Sequence, residues 1–190
     1  PRATAARFEG PRASATGKAG GASDAMLARR VVAGDDDAFP QLVDRHLARV
    51  LGVARRMLGD ASEADDIAQE TFLRLWRKAG EIEIGTGGLG GWLYRVAANL
   101  SLDRLRARRP SDPGALEAQT VPAEQGRALG DEQMRRGVEA ALQLLPERQR
   151  LAIVLCHYEE MTMAEAAVIM EASAEAVESL LARGRRALRK

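Results

Sequence analysis

The sequence is poor in cysteine, in aromatic residues and in long apolar segments. A single cysteine in 190 residues excludes a disulfide framework and a zinc site built on several cysteines, and it favours a reducing compartment. Three Phe, two Tyr and two Trp disfavour an all-β sandwich or barrel, whose strands are rich in aromatic and β-branched residues. No apolar run approaches the roughly 20 residues that span a bilayer. We therefore expect a helical, cytoplasmic protein without membrane insertion.

Motifs for catalysis and cofactor binding are also scarce. Neither G-x-S-x-G nor G-x-x-x-x-G-K-[ST] occurs, so no nucleophile elbow or nucleotide-binding loop is predicted. His46 lies in an apolar stripe, where a core or boundary histidine is favoured over a ligand, and Cys156 with His157 lacks further ligands at zinc spacing. The acids of residues 60–70 lack the glycine and ligand pattern of a calcium loop. The sequence predicts a protein that is not an enzyme and needs no metal or cofactor.

The charges nearly cancel, to +1, but they are segregated along the chain. Residues 60–70 are acidic and 91–109 basic, 110–133 are acidic again, and 183–190 carry five basic residues and no acid. Only three of the 28 basic residues are Lys, and Arg suits bidentate phosphate and base contacts. The two basic patches indicate two surfaces for polyanions, although solvated helix faces would give the same pattern.

Helical periodicity, interrupted twice, predicts an all-α fold of two small domains. Residues 1–24 lack periodicity and are predicted to be a disordered tail. Helices fill 25–109, where a glycine-rich loop at 80–91 precedes a helix from Trp92 to about Arg109. Prolines and acids make 110–130 a flexible linker, and 131–190 form the second domain.

The last 30 residues have the spacing of a helix-turn-helix. Thr162 and Glu165 match a capping box for a short helix that ends near Met170, and Ser173 can cap the final helix. In this motif the second helix enters the major groove of DNA. Its outward arc is predicted to contain Glu175, Glu178, Ala182, Arg185, Arg186 and Arg189. A helical hairpin that packs on a protein partner would have the same inward stripe.

The helix that begins at Trp92 carries a second unusual face. On a helical wheel one arc of about 80° contains Trp92, Arg95, Asn99, Asp103 and Arg106. Rings stack on bases, amides bind base edges and arginines hold phosphates, so this face suits unpaired nucleotides. An ordinary amphipathic helix with a half-buried Trp explains the spacing equally well.

Three motifs in register give the chain a family resemblance. The segments DDIAQETFLRLW (65–76), GWLYRVAANLSLDRLRARR (91–109) and LPERQRLAIVL (145–155), followed by the helix-turn-helix, resemble bacterial extracytoplasmic-function sigma factors from about Asp24 to Lys190. The resemblance implies two helical domains that bind core RNA polymerase and promoter DNA. It also implies no catalytic activity and control by an anti-sigma protein, which we expect to bind at 1:1.

Roles for single residues follow from the resemblance only. The segment that docks on the polymerase clamp is matched by Asp66, Gln69, Glu70 and Leu73. The segment that meets the melted minus-ten strand is matched by Trp92, Arg95 and Asn99, with Asp103 and Arg106 on the same face. The minus-thirty-five residues are expected among Ser173, Glu175, Glu178, Ala182, Arg183, Arg185 and Arg186.

The chain departs from the family pattern on the final helix. Glu175-Ala176 replaces a usual Gly-Thr, and Glu178 a common Lys. Acids at this end repel phosphate but can accept a hydrogen bond from cytosine N4, so the minus-thirty-five preference does not follow from the family. The alternative function is a stand-alone helix-turn-helix repressor or activator; a helical adaptor would leave the basic stretch 183–190 unexplained.

Overall fold

The computed structural model describes residues 22–82, 87–108 and 130–189, with the backbone alone for 130–136. Every regular element in these ranges is helical, which confirms the all-α fold. Most of the predicted tail (1–24) and of the predicted linker (110–130) lies outside the described residues.

The N-terminal domain consists of four helices. They are α1 (Asp24–Val32), α2 (Ala38–Leu58), α3 (Ala61–Lys78) and α4 (Gly88–Arg108). The Ser23 side chain caps α1, and Gly59 ends α2 in the left-handed conformation, at φ 67°, that glycine adopts without strain. Helix α2 packs against the other three helices and forms the centre of the domain.

The C-terminal domain contains four further helices. They are α5 (Gly130–Gln143), α6 (Glu147–Ile153, continued by the π-helical turn Val154–Tyr158), α7 (Met163–Met170) and α8 (Ala174–Leu188). The predicted capping box is present, because the Thr162 hydroxyl accepts from the Glu165 amide and the Glu165 carboxylate accepts from the Thr162 amide. Ser173 caps α8 as predicted. Helices α7 and α8 form the helix-turn-helix and close on α6.

Buried apolar side chains connect the helices of both domains. Leu42, Val50 and Leu93 are fully buried in the N-terminal domain, and Leu155 and Val177 in the C-terminal domain. Helices α2 and α4 also pack directly on α5, α6 and α7, so the two domains lie against each other.

Two helix starts differ from the sequence expectation. Ser62 followed by Asp65 predicts a helix start at Ser62, but the α3 cap is Asp60, whose carboxylate accepts from the Glu63 amide. Helix α4 begins at Gly88 instead of Trp92, so four residues of the predicted glycine-rich loop are helical. Glycine is a poor helix former, but Leu89 is buried at this end of α4, and Gly90 lies beside the His46 ring.

No helix among the described residues combines the length and apolar character needed to cross a membrane.

Candidate functional site

The outer face of α3 carries the residues predicted to dock on polymerase. Asp66, Gln69 and Leu73 are exposed, whereas Glu70 is half-buried because its carboxylate accepts a 2.8 Å bond from Arg74 one turn later. The four residues share one side of the helix, as the i, i+3, i+4, i+7 spacing requires. Glu70 therefore presents a charge that Arg74 already partly neutralises.

An apolar groove runs beside these residues, between α2 and α3. It has a volume of about 420 Å³, and Gln69, Leu73 and Asp65 lie on its α3 side. Its walls are almost entirely apolar, formed by Phe39, Val43, Leu47, Leu51, Ala68 and Phe72. Phe39 also packs against Trp76, edge to face, with 4.9 Å between the ring centroids, and Trp76 remains half exposed. The acid that lines this groove, Asp65, pairs with Arg55 at 3.3 Å, so the groove suits chiefly the apolar face of an amphipathic helix.

The five predicted minus-ten residues share one face of α4. Trp92 is half-buried, and Arg95, Asn99, Asp103 and Arg106 are exposed. The opposite side of the helix is buried through Leu93, Ala97 and Ser101, so the face is a consequence of how α4 packs.

Part of this face borders the C-terminal domain, although its residues stay exposed. The Arg95 guanidinium donates to Glu171 of the C-terminal domain at 2.7 and 3.2 Å. Asn99, Asp103 and Arg106 line a cavity of about 360 Å³ that Arg148, Met170 and Glu171 close from the other domain.

The basic stretch 91–109 is less available to a polyanion than its composition suggested. Arg104 and Arg108 both pair with Glu63 at the start of α3, and Arg106 pairs with Asp103 at 3.1 Å. With Arg95 held by Glu171, each arginine described in this stretch has an acidic neighbour. The sequence count missed the pairs with Glu63 and Glu171, because these two acids are distant along the chain.

The predicted DNA face of α8 is fully exposed. Ser173 caps the helix, and Glu175, Glu178, Ala182, Arg183, Arg185 and Arg186 all lie on the surface. Val177, Leu181 and Gly184 face inward, and Gly184 sits so close to α6 that an added Cβ would be 2.7 Å from Ile153 Cδ1. The packing of Gly184 thereby sets the direction of the arginines on either side of it.

The arginines of α8 differ from those of α4. Arg183 donates to Ser179, Arg186 to the Ala182 carbonyl and Arg185 to His157, at 2.9 to 3.3 Å. Among the described residues, none of these three arginines forms an ion pair with a carboxylate. Their charge is available to phosphate.

Glu175 has a structural role that the sequence did not indicate. Hydrogen bonds from its own backbone amide and from Ser173 lower the pKa of its carboxyl, so it acts as an anion at the start of α8. An anion in the first turn of a helix is favourable. Glu178, one turn later, is the acid that remains for a base contact.

Three residues outside the predicted site hold the domains together. Gln143 and Arg150 reach the carboxyl end of α2, and Glu171 reaches Arg95. Arg150 belongs to the LPERQRLAIVL segment, but no local pattern indicates that its guanidinium crosses to another domain.

Metal ligation has no support in the geometry. Within residues 22–82, 87–108 and 130–189, no three His, Cys, Asp or Glu side chains are grouped as metal ligands. His46 instead bonds to Asp24 at 2.8 Å, as expected for a boundary histidine.

The chain matches known proteins over both domains. The model of sigma-70 region 2 matches residues 42–110, and the model of sigma-70 region 4 matches residues 135–188. The ECF RNA polymerase sigma factor SigW of Bacillus subtilis is 32% identical over 176 residues, which cover 85% of this chain and 92% of SigW. The chain belongs to the ECF family of RNA polymerase sigma factors.

Two solved structures resemble the fold. CnrH in complex with the cytosolic domain of CnrY has a TM-score of 0.66 and 27% identity, and the match covers 87% of this chain and 94% of CnrH. The sigma factor RpoE in complex with the anti-sigma factor NepR, from Bartonella quintana, has a TM-score of 0.62 and 25% identity, with 79% and 93% covered. This sigma factor thus shares the two-domain helical fold expected from its sequence.

Proposed function

We propose that this sigma factor uses three helix faces for three partners. The outer face of α3 binds core RNA polymerase, the Trp92–Arg106 face of α4 binds the melted minus-ten strand, and the exposed face of α8 binds the minus-thirty-five duplex. The observation that carries the proposal is the exposed row on α8, a capped helix whose Arg183, Arg185 and Arg186 have no acidic partner among the described residues. The factor has no catalytic activity of its own and works in the cytoplasm, where polymerase and promoters are.

The α2–α3 groove supports the polymerase contact. Leu73 is 38% exposed beside an apolar channel, and Asp66 beyond it has no ion-pair partner among the described residues. Burying an apolar channel supplies affinity, while acids at its border select a basic partner and raise the association rate. A polymerase helix with an apolar stripe between basic residues fits this surface.

Regulation by an anti-sigma protein is the second part of the proposal. RpoE, which shares this fold, was solved with the anti-sigma factor NepR. We infer that an anti-sigma protein binds this chain at 1:1 and covers the α3 and α8 faces, which are both exposed here.

Run-off transcription tests the function. Genomic fragments of the source organism are transcribed by its purified core polymerase, with and without the protein, and transcript 5′ ends are mapped. Specific start sites that require the protein support the sigma function. Tight duplex binding without core polymerase, and no new start sites, would support the repressor alternative instead.

A matched pair of variants tests the α3 assignment. Leu73→Glu places a charge in the apolar groove, where docking would bury it without a partner, so core binding and transcription should both fall by about tenfold or more. Val32→Glu makes a similar change at a 58% exposed position on α1, away from the groove, and should leave both unchanged. Equal behaviour of the two variants would remove α3 as the polymerase face.

A further inference from the structure

One arginine of the exposed α8 row is held from another helix. Arg183 and Arg186 each donate to an atom of α8 itself, one turn earlier. Arg185 instead donates through its Nε to His157 Nε2 at 3.1 Å, and His157 belongs to the π-helical turn at the end of α6. The duplex-binding face proposed above therefore borders a side chain that lies outside α8.

The packing of α6 against α8 brings this pair together. Gln149, Ile153 and His157 are spaced four residues apart, the interval that places side chains on one side of a helix. A Cβ at Gly184 would lie 2.7 Å from Ile153 Cδ1 and 3.6 Å from Gln149 Cβ, so the first two residues of this row face α8. The third meets Arg185, the residue after Gly184. Close packing at Gly184 thus sets the separation of α6 and α8 at which the hydrogen bond forms.

The neighbouring cysteine also reports the guanidinium at this turn. Burial raises the pKa of the Cys156 thiol, and the charge of Arg185 opposes that rise. Cys156 is half-buried, whereas His157 and Arg185 are exposed. The hydrogen-bonded pair therefore lies on the surface, where a DNA backbone can approach it.

A histidine acceptor holds an arginine differently from a carboxylate. Nε2 can accept only when the imidazole is neutral and carries its proton on Nδ1. The bond thus orients the Arg185 guanidinium and leaves its charge in place, whereas Arg95 is paired with the Glu171 carboxylate. The bond also uses Nε alone, and the Nη groups of Arg185 have no hydrogen-bond partner among the described residues.

Phosphate is the ligand that suits such a group. The Nη groups of an arginine belong to a planar fork whose geometry matches phosphate oxygens. A side chain that is already held in one direction loses less rotamer freedom when it binds. Orientation without neutralisation is therefore the property that favours a phosphate contact at Arg185.

We propose that His157 is a positioning residue of the minus-thirty-five interface, which fixes Arg185 so that its Nη groups meet a backbone phosphate of the duplex. The interface then includes the end of α6 as well as α8. This inference rests on the proposed function for the duplex that is bound, and on the α6–α8 packing for the geometry of the pair. Phosphate contacts carry no sequence information directly, so His157 adds affinity and not base preference.

Duplex binding by the full chain measures the effect, by anisotropy at several salt concentrations. The probe is a short fluorescein-labelled duplex of random sequence, because phosphate contacts do not depend on sequence. His157→Leu removes the acceptor, so affinity should fall by about three- to tenfold, the worth of one hydrogen bond. The log–log salt slope should stay that of the wild type, since Arg185 keeps its charge.

Two further substitutions at the same position separate orientation from charge. His157→Gln keeps an acceptor, because the amide oxygen can accept from Arg185 Nε, and it should recover most of the affinity. His157→Glu holds the guanidinium but neutralises it, so affinity should fall and the salt slope should drop by about one. A glutamine variant as weak as the leucine variant would contradict the hydrogen-bonding role.

Two arginine backgrounds show whether the effect passes through Arg185. In Arg185→Ala, His157→Leu should cause no further loss of affinity. Arg183→Ala is the matched control, because Arg183 lies on the other side of Gly184 and donates to Ser179 instead. In that background His157→Leu should keep its full effect. An equal loss in both backgrounds, or no loss in the wild-type background, overturns the positioning role.

The Nε–H signal of Arg185 in NMR spectra of the free chain tests the geometry without DNA. The signal is assigned by its loss in Arg185→Ala. It should exchange slowly with water in the wild type and in His157→Gln, and faster in His157→Leu. Equal exchange rates in all three proteins would show that His157 does not hold the guanidinium.

Transcription separates this result from the proposed function. If duplex binding depends on His157 as expected but wild-type protein and core polymerase give no specific start sites, the positioning role stands and the sigma function fails. If the wild type directs specific transcription and His157→Leu binds duplex as the wild type does, the function stands and the positioning role fails.

Discussion

The two glycines inside helices of the C-terminal domain should respond oppositely to the same substitution. Gly137 in α5 has open space around it, whereas a Cβ at Gly184 in α8 would lie 2.7 Å from Ile153 Cδ1 and 3.4 Å from its Cγ1. Replacing glycine by alanine within a helix stabilises by about 0.5–1 kcal/mol, because the unfolded chain loses freedom. That gain applies to both sites and cancels when the two variants are compared.

The steric cost at Gly184 then decides the difference. Ile153 is 3% exposed, so its side chain can move only by displacing other core atoms. Overpacking of this kind costs about 1–3 kcal/mol. We expect Gly137→Ala to be more stable than the wild type by close to 1 kcal/mol, and Gly184→Ala to be less stable than Gly137→Ala by about 1–3 kcal/mol.

Hydrogen exchange of the α6 and α8 amides, followed by mass spectrometry, measures these changes within the C-terminal domain. Exchange in α8 should slow in Gly137→Ala and quicken in Gly184→Ala. The second variant should also weaken minus-thirty-five binding, since Gly184 directs Arg183 and Arg185. Equal slowing of exchange in both variants would show that α6 accommodates a methyl group and would refute the packing argument.

Three further variants test single residues. Arg185→Ala should weaken duplex binding and lower the log–log salt slope by about one, measured by anisotropy at several salt concentrations; an unchanged slope places Arg185 away from phosphate. Asp66→Lys should weaken core binding in pull-down assays with normal folding, and normal core binding would exclude Asp66 from the interface. Hydrogen bonds from His46 and Arg45 lower the pKa of the Asp24 carboxyl. The ionised carboxylate therefore stabilises the folded state fully at neutral pH, and this contribution is lost as the pH falls through the lowered pKa. Urea melts should therefore show Asp24→Asn less stable by a constant amount between about pH 6 and 8, and the gap should shrink below about pH 4; a gap that persists in acid contradicts this.

The helices and caps of this fold were predictable because their causes are local. The capping box at Thr162 needs only residues three apart, and the inward stripe of α8 needs only a period of 3.6. The five residues predicted to share one face of α4 also lie on one side of the helix, because helical periodicity alone places them there. The α4 start at Gly88 was not predicted, because glycine is a poor helix former and no local pattern favours a helix through Gly88, Gly90 and Gly91.

The pairing of charges was not predictable, because it depends on distant contacts. Arg95 and Glu171 are 76 residues apart, and Arg108 and Glu63 are 45 apart. A charge count along the chain therefore gave α4 and α8 similar basic surfaces. In the part of the chain that the structure describes, however, the arginines of α4 pair with acids, whereas Arg183, Arg185 and Arg186 of α8 do not.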